Sequence, residues 1–385
     1  MEIHGVCGPQ FAEVRKEFER NFTERGDVGA SVCVIVEGET VVDLWGGVAN
    51  PATGALWQED TITVVMSMTK GATALCAHIL ADRGELDLDL PVAHYWPEFG
   101  QNGKANIPVR MLLNHQAGLP GFHHVIPAGK PYDWAYMTEA LAAEQPFWEP
   151  GRQYGYHSLT FGWLVGEVVR RVSGKSLGTF FRDEIAIPLG LDFWIGLPES
   201  EAGRAVRLLP RCDAATATTG IAELKAQLVS SGVNEDGDWW NTYAAHAAEL
   251  PASGGVTNAR AAARMYAALS LDGTLDGVRL VSPETIVRMG TTQSLLVADA
   301  LGDIPAPFSL GFMKAPPASG FPGSCFGHEG AGGSNGFADP AARLAFGYVM
   351  NQMSETPRSL SLLAATYRSL GYRQGKYGIW MRPDA

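Results

Sequence analysis

An α/β (α+β) fold is what this sequence predicts: an antiparallel sheet flanked by N- and C-terminal helices, with a helical domain inserted in the middle. Three observations predict it. A helix, a hairpin and a short strand are legible at the start of the chain. Short β-like runs and a helix close it. The stretch between is rich in helical patterns, Pro, Gly and Trp. A sheet must bury its faces, and helices from the two ends are the available cover. The 385 residues, 46% hydrophobic and 18% charged, are ample for a large core and too many for one simple layer. The expected division is 1–84 and 255–385 as the sheet domain and 85–254 as the mostly helical insertion, with the site between them.

The elements follow in order. Residues 9–26 set Phe11, Val14, Phe18 and Phe22 at helical spacing among charges, an amphipathic helix. Residues 29–48 are two β-rich runs around Glu37-Gly38-Glu39, a hairpin signal. TITVV at 61–65 is a short strand expected to join the sheet. From Ser67 to Arg83 the pattern is helical, with Gly84 as C-cap. VRMLLNHQAGLPGF (109–122) reads as a helix ended at Gly118, and 159–176 as one ended at Gly174. TNARAAARMYAALSLDG (257–273) is a helix. FSLGFM (308–313), SNGFAD (334–339) and RLAFGYVMN (343–351) read as strands, and 354–372 as the closing helix. There are no internal repeats and no low-complexity linker.

Composition excludes some functions. The net charge is −12, with no Lys/Arg stripe, which argues against nucleic acid as a partner. No run of 18 or more apolar residues is present, so no membrane span is expected. The N-terminal stretch lacks a basic start followed by an apolar run, so no secretory signal is read and the cytoplasm is the expected compartment. Cys7, Cys33, Cys76, Cys212 and Cys325 are scattered, odd in number and never in a CxxC pair, which reads as reduced thiols.

The chemistry centres on VMSMTKG at 65–71. Residues three apart on a helix share a face, so Ser67 and Lys70 can touch. A serine hydroxyl is a weak nucleophile until a base takes its proton. At a helix start its own backbone N–H is free to face a developing oxyanion. Lys70 can be that base only when neutral, and a free lysine titrates near ~10.4, so burial must lower it. The plain structural reading is an N-cap serine and an ordinary helical lysine. Two further segments add weight. Pro-Gly-Arg-Gln-Tyr-Gly-Tyr-His-Ser at 150–158 puts Tyr156 in a loop at a helix entrance, where its phenol can shuttle a proton. Phe-Gly-His-Glu-Gly-Ala-Gly-Gly-Ser-Asn-Gly at 326–336 carries glycines that let a backbone approach a ligand, and an edge-strand N–H there would complete an oxyanion hole.

SMTK at 67–70, PGRQYGYHS with Tyr156 and GHEGAGGS at 327–334 occur in the order of the serine β-lactamase and penicillin-binding-protein superfamily, which this chain resembles. The similarity is greatest to class C β-lactamases, serine D,D-peptidases of that type and the family VIII carboxylesterases. MLLNHQAGLPGF resembles a further stretch of that group. The resemblance implies the β-lactamase/transpeptidase-like fold, Ser67 as acylated nucleophile, Lys70 as its base, Tyr156 as proton shuttle, and the N–H groups of Ser67 and Ala331 as oxyanion hole beside Gly330.

The sequence departs from that pattern at two places. Ser158 stands where the family commonly has Asn, and a hydroxyl cannot donate two amide bonds. It could instead cap the next helix. His328 and Glu329 replace Lys-Thr of Lys-Thr-Gly. The permanent cation tied to a substrate carboxylate is gone, which favours neutral esters, although His328 could be only a structural strand residue. Gly332–Gly336 fits G-x-S-x-G, but a strand-like run follows instead of a helix, so Ser334 is read as a decoy. His123-His124 read as a loop pair without a metal, His115 as packing or capping a helix end. Trp134, Trp239 and Trp240 are placed in loops that could wall an acyl pocket. The expected activity is a serine carboxylesterase acting on a small ester, with short acyl chains, needing no metal or cofactor. A β-lactamase or D,D-peptidase, an acyltransferase on the same acyl-enzyme, and a catalytically silent binding protein are the alternatives. Oligomeric state is not legible.

Overall fold

The computed structural model describes residues 2–211, 238–294, 299–301, 307–314, 320–375 and 378–382. Cys212 lies outside them; Cys7, Cys33, Cys76 and Cys325 are free thiols.

The first strands are β1 (Ile3–Cys7), β2 (Gly29–Val36), β3 (Glu39–Asn50) and β4 (Ala55–Leu56). Then come β5 (Ile62–Val64), β6 (Phe193–Ile195), β7 (Ala205–Val206) and β8 (Gly255–Thr257). A two-stranded ribbon, β9 (Thr274–Leu275) and β10 (Val278–Arg279), precedes β11 (Met313–Lys314), β12 (Phe326–Glu329), β13 (Asn335–Asp339) and β14 (Leu344–Met350). The main sheet runs β1-β3-β2-β14-β13-β12-β11, with β4 added to β3, and every pairing in it is antiparallel. Its two halves come from opposite ends of the chain and join where β14 pairs with β2, from Leu344 opposite Val36 to Met350 opposite Ala30.

Both faces of this sheet are covered. Alternate residues of β2 enter different cores: Val32 and Val34 meet α1 (Ala12–Glu24) and the closing helix Arg358–Ser369, while Cys33 and Ile35 face the inner core. That is why β2 reads as an unbroken apolar run rather than an alternating one. The helix Ala259–Ser270 lies under β14 on the inner face. A Cβ on Gly347 would stand 2.3 Å from the Ala259 carbonyl oxygen, so glycine here and alanines opposite permit the close approach. The remaining helices used below are α2 (Thr69–Asp82), α3 (Val92–Tyr95), α4 (Val109–Leu113), α5 (Trp134–Ala143) and α6 (Thr160–Ser173). Among the described residues no helix is long and apolar enough to cross a membrane.

Three expectations are corrected. β5 does not join the main sheet; it sits in a second sheet of order β6-β8-β5-β7, antiparallel to β8 and parallel to β7. Its partners are far away in sequence, and periodicity carries no information on partners. The helix expected over 109–118 stops at Leu113, because His115 adopts φ +62° and turns the chain toward residues 154–158. FSLGFM is a tight turn rather than a strand up to Phe312; only its last residue, Met313, enters a strand, the two-residue β11. Phe308 bridges to Met313 across Gly311, whose φ is +88° and whose Cβ position lies 2.4 Å from that of Ala74.

Candidate active site

Strand β5 delivers the chain to Val65, whose N–H donates to the Gly255 carbonyl at 2.9 Å. Met66 then takes φ +49°, uncommon for a residue with a side chain. A 3-10 turn over Met66–Met68 carries Ser67, half-buried, straight into α2. Thr69 locks this bend. Its hydroxyl donates to the Met66 carbonyl at 2.6 Å and accepts the Gly255 N–H at 2.9 Å. Every residue of α2 from Thr69 to Leu80 is buried. At the second position of such a helix, Lys70 is wholly removed from solvent.

The Lys70 amine makes three contacts. It donates to the backbone carbonyls of Ser158 at 2.6 Å and Ala252 at 2.9 Å, and lies 3.0 Å from Ser67 Oγ. Burial pushes its pKa well below the ordinary lysine range. A neutral amine has two N–H donors and one lone pair. The two carbonyls take the donors, which leaves the lone pair for the Ser67 hydroxyl proton. The rings of Tyr156 and Phe161 lie 4.8 and 6.0 Å from Nζ and close off water.

Tyr156 sits in the loop before α6, as expected, and its backbone is tightly held. Its N–H donates to Asp299 Oδ1 at 3.1 Å. The next N–H, of His157, donates to His115 Nδ1 at 3.1 Å, and Gly155 N–H to the His115 carbonyl at 3.2 Å. The His157 ring bonds Gly155 O at 2.6 Å and accepts the Leu119 N–H at 2.9 Å. Burial pushes His157 down to about 4 and His115 well below its usual range, so both are neutral acceptors near pH 7. The His115 ring packs at 5.0 Å from Tyr156 and 4.8 Å from Phe308. It packs rather than caps. Ser158 contributes its carbonyl to Lys70. It does not cap α6, whose N-cap is Leu159 with no side-chain bond.

The third segment runs from β12 through a turn into β13. Ser334 is buried, and its hydroxyl donates to the Val65 carbonyl at 2.8 Å. A Cβ on Gly330 would lie 2.1 Å from Ser334 Oγ and 2.2 Å from Val65 O. The turn bearing Ala331 is thereby pinned to the residue two before Ser67. Ser334 lies in the turn between β12 and β13, and a strand rather than a helix follows it, as the sequence predicts. His328 points from β12 toward Tyr156, with ring centroids 6.2 Å apart, and its Nδ1 donates to the Glu329 carbonyl at 2.6 Å. Burial, with the nearby Lys70, pushes it down to about 3, so it carries no charge. β12 is not the outermost strand: β11 lies beyond it, but pairs only with Phe326 and Gly327.

The other candidates lie elsewhere. His123 and His124 do find a carboxylate, with Nδ1 atoms 2.7 and 3.6 Å from Glu144 across the fold. No group of three or more His, Cys, Asp or Glu side chains able to hold a metal ion occurs among the described residues. Trp134 is not in a loop; it opens α5 and donates its indole N–H to Glu167 at 2.8 Å.

A family profile described as Beta-lactamase matches residues 18–366. The chain belongs to the beta-lactamase family. Within it, the chain is 38% identical over 364 residues to "Esterase/beta-lactamase LipL" of Mycobacterium tuberculosis, covering 91% of this chain and 83% of the relative. A solved family VIII carboxylesterase is 39% identical with a TM-score of 0.88, over 96% of this chain and 100% of that one. A penicillin-binding protein homolog from Caulobacter crescentus is 38% identical with a TM-score of 0.89, over the same shares. The antiparallel sheet and its covering helices are thus the family's fold.

The structure brings Ser67, Lys70, Tyr156, Ser158 and His328 into one cluster. Sequence reasoning missed the two carbonyls that hold Lys70, because a backbone oxygen has no sequence signature. It also missed Thr69, Asp299 and Phe308. Only Thr69 left a trace, as a hydroxyl beside the SMTK pair.

Proposed function

We propose that the chain is a serine carboxylesterase, hydrolysing small carboxylic esters through an acyl-enzyme on Ser67. The site lies between a sheet unit (1–84 and 255–385) and a helical insertion (85–254). The observation that carries the reading is the Lys70 amine, fully buried, held by two carbonyls and within 3.0 Å of Ser67 Oγ. Such an amine accepts the Ser67 proton as Oγ attacks the ester carbonyl. The N–H groups of Ser67 and Ala331 receive the oxyanion, and Gly330 lets that turn approach. Tyr156 passes a proton to the departing alkoxide. Water, deprotonated by the same groups, then adds to the acyl carbon, and the carboxylic acid leaves as Ser67 regains its proton.

The uncharged His328 supports esters over β-lactams and peptide C-termini, since it offers no cation to a carboxylate. The β-lactamase or penicillin-binding reading draws support from the names of the LipL and Caulobacter relatives. Steady-state turnover of p-nitrophenyl butyrate and nitrocefin, for wild type and Ser67→Ala, separates the two. Ester turnover lost in Ser67→Ala, with little nitrocefin hydrolysis, supports the esterase. Nitrocefin turnover that dominates overturns it.

A further inference from the structure

His115 holds the chain on both sides of Tyr156. It stands two residues past the end of α4 at φ +62°, in the left-handed region that a residue with a side chain seldom adopts. A glycine would take this conformation more easily. A strained backbone kept beside a reacting group points to a use for the residue that keeps it. Two acceptors of His115 flank the tyrosine. Its carbonyl takes the Gly155 N–H at 3.2 Å, and its Nδ1 takes the His157 N–H at 3.1 Å. The amide between them, of Tyr156 itself, donates to Asp299. The His115 ring is fully buried and fills the space beside the tyrosine. Its centroid lies 5.0 Å from that of Tyr156, 5.2 Å from Phe161 and 4.8 Å from Phe308. A backbone amide only donates, so Nδ1 is the acceptor and the hydrogen of the neutral ring sits on Nε2.

We propose that His115 is a positioning residue: its Nδ1 and carbonyl fix the backbone on either side of Tyr156 and so aim the phenol at the oxygen of the departing alcohol. This rests on the esterase reading above. In the step concerned, the bond from the acyl carbon to the alkoxy oxygen breaks as the tetrahedral intermediate collapses. The acyl group stays on Ser67 Oγ, and the phenol proton passes to the alkoxide. Lys70, which holds the proton taken from Ser67, returns one to the Tyr156 oxygen; its Nζ lies 4.8 Å from the centre of the Tyr156 ring. An alkoxide leaves poorly without that proton, whereas p-nitrophenolate leaves without it. A misaimed phenol therefore slows alkyl esters far more than p-nitrophenyl esters. A general loosening of the site slows both alike.

The test compares kcat/KM for ethyl butyrate and p-nitrophenyl butyrate, which form the same acyl-enzyme and differ only in the leaving group. Both are measured on one preparation, so the folded fraction cancels in their ratio. His115→Gly keeps the left-handed backbone and removes Nδ1. It is expected to lower the ethyl to p-nitrophenyl ratio by roughly tenfold to 10²-fold, the scale of a reacting group misplaced by about 1 Å. His115→Asn tolerates the same backbone and carries an oxygen where the imidazole has Nδ1, so its ratio is expected within about threefold of wild type. His115→Ala replaces His115→Gly should that variant fail to fold, with the same expectation. Tyr156→Phe gives the reference loss. A selective loss in Tyr156→Phe with no change of ratio in His115→Gly overturns the inference and leaves the esterase reading intact. So does a His115→Asn ratio as low as that of His115→Gly. Equal losses on both esters in Tyr156→Phe overturn the inference together with the proton transfer assigned to Tyr156.

Discussion

At the scale of the residue, Lys70 carries the most consequence. Its burial fits it for the proposed role of base and also makes it a liability. The folded pKa is depressed, so between it and the unfolded value of ~10.4 the unfolded chain holds the extra proton, and stability rises with pH through that window. Below both values the full cost is paid. Denaturant unfolding at about pH 6 and about pH 9 is expected to show Lys70→Met gaining on wild type at the lower pH, with the gap closing at the higher. Equal gaps at both would show a charged Lys70. Lys70→Arg keeps a side chain that cannot lose its proton. Its kcat for p-nitrophenyl butyrate is predicted to fall on the order of 10³-fold, within the usual range for a lost general base. Ser67 and Lys70 were legible in sequence because their spacing is itself the geometry. The role of Ser158 was not, because what matters is its carbonyl.

At the scale of the element, two glycines separate site from scaffold. Gly330 lets the β12–β13 turn reach Val65, and Gly347 lets the helix Ala259–Ser270 lie against β14. Gly330→Ala would push the Ala331 turn away from Ser67. It is expected to lower ester kcat by about 10²-fold or more, the scale of a lost oxyanion donor, with a smaller effect on unfolding. Gly347→Ala would bring a Cβ 2.8 Å from the Ala263 nitrogen and is expected to cost about 1–3 kcal/mol in urea unfolding, with the catalytic constants of the folded fraction little changed. Helices with a strong apolar stripe and a glycine stop, such as α6 ending at Gly174 with φ +72°, were readable in advance. The helix over 109–118 was not. Its periodicity continues past Leu113, and only the tertiary demand on His115 ends it.

At the scale of the whole molecule, the fold depends on closing two chain ends into one sheet. Asp27, just before β2, sits under that closure. It is buried, pairs with the buried Arg358 of the closing helix, and accepts the Tyr348 hydroxyl of β14 at 2.6 Å. Removing one partner strands a buried charge. Asp27→Ala is predicted to cost about 3–5 kcal/mol by denaturant unfolding, in one cooperative transition. A loss under about 1 kcal/mol would show that the ends are held by apolar packing alone. The main sheet was foreseeable from matching β-rich ends; the second sheet was not, since β6 and β7 are too short to announce themselves.

The claim on which the rest stands is that Ser67, activated by Lys70, is the nucleophile. The most direct measurement is covalent labelling with a fluorophosphonate, read by intact mass and peptide mapping in wild type, Ser67→Ala and Lys70→Met. A single adduct on the peptide containing Ser67, absent in Ser67→Ala and strongly slowed in Lys70→Met, is the predicted result. An adduct on Ser334, or labelling that persists in Ser67→Ala, would contradict it.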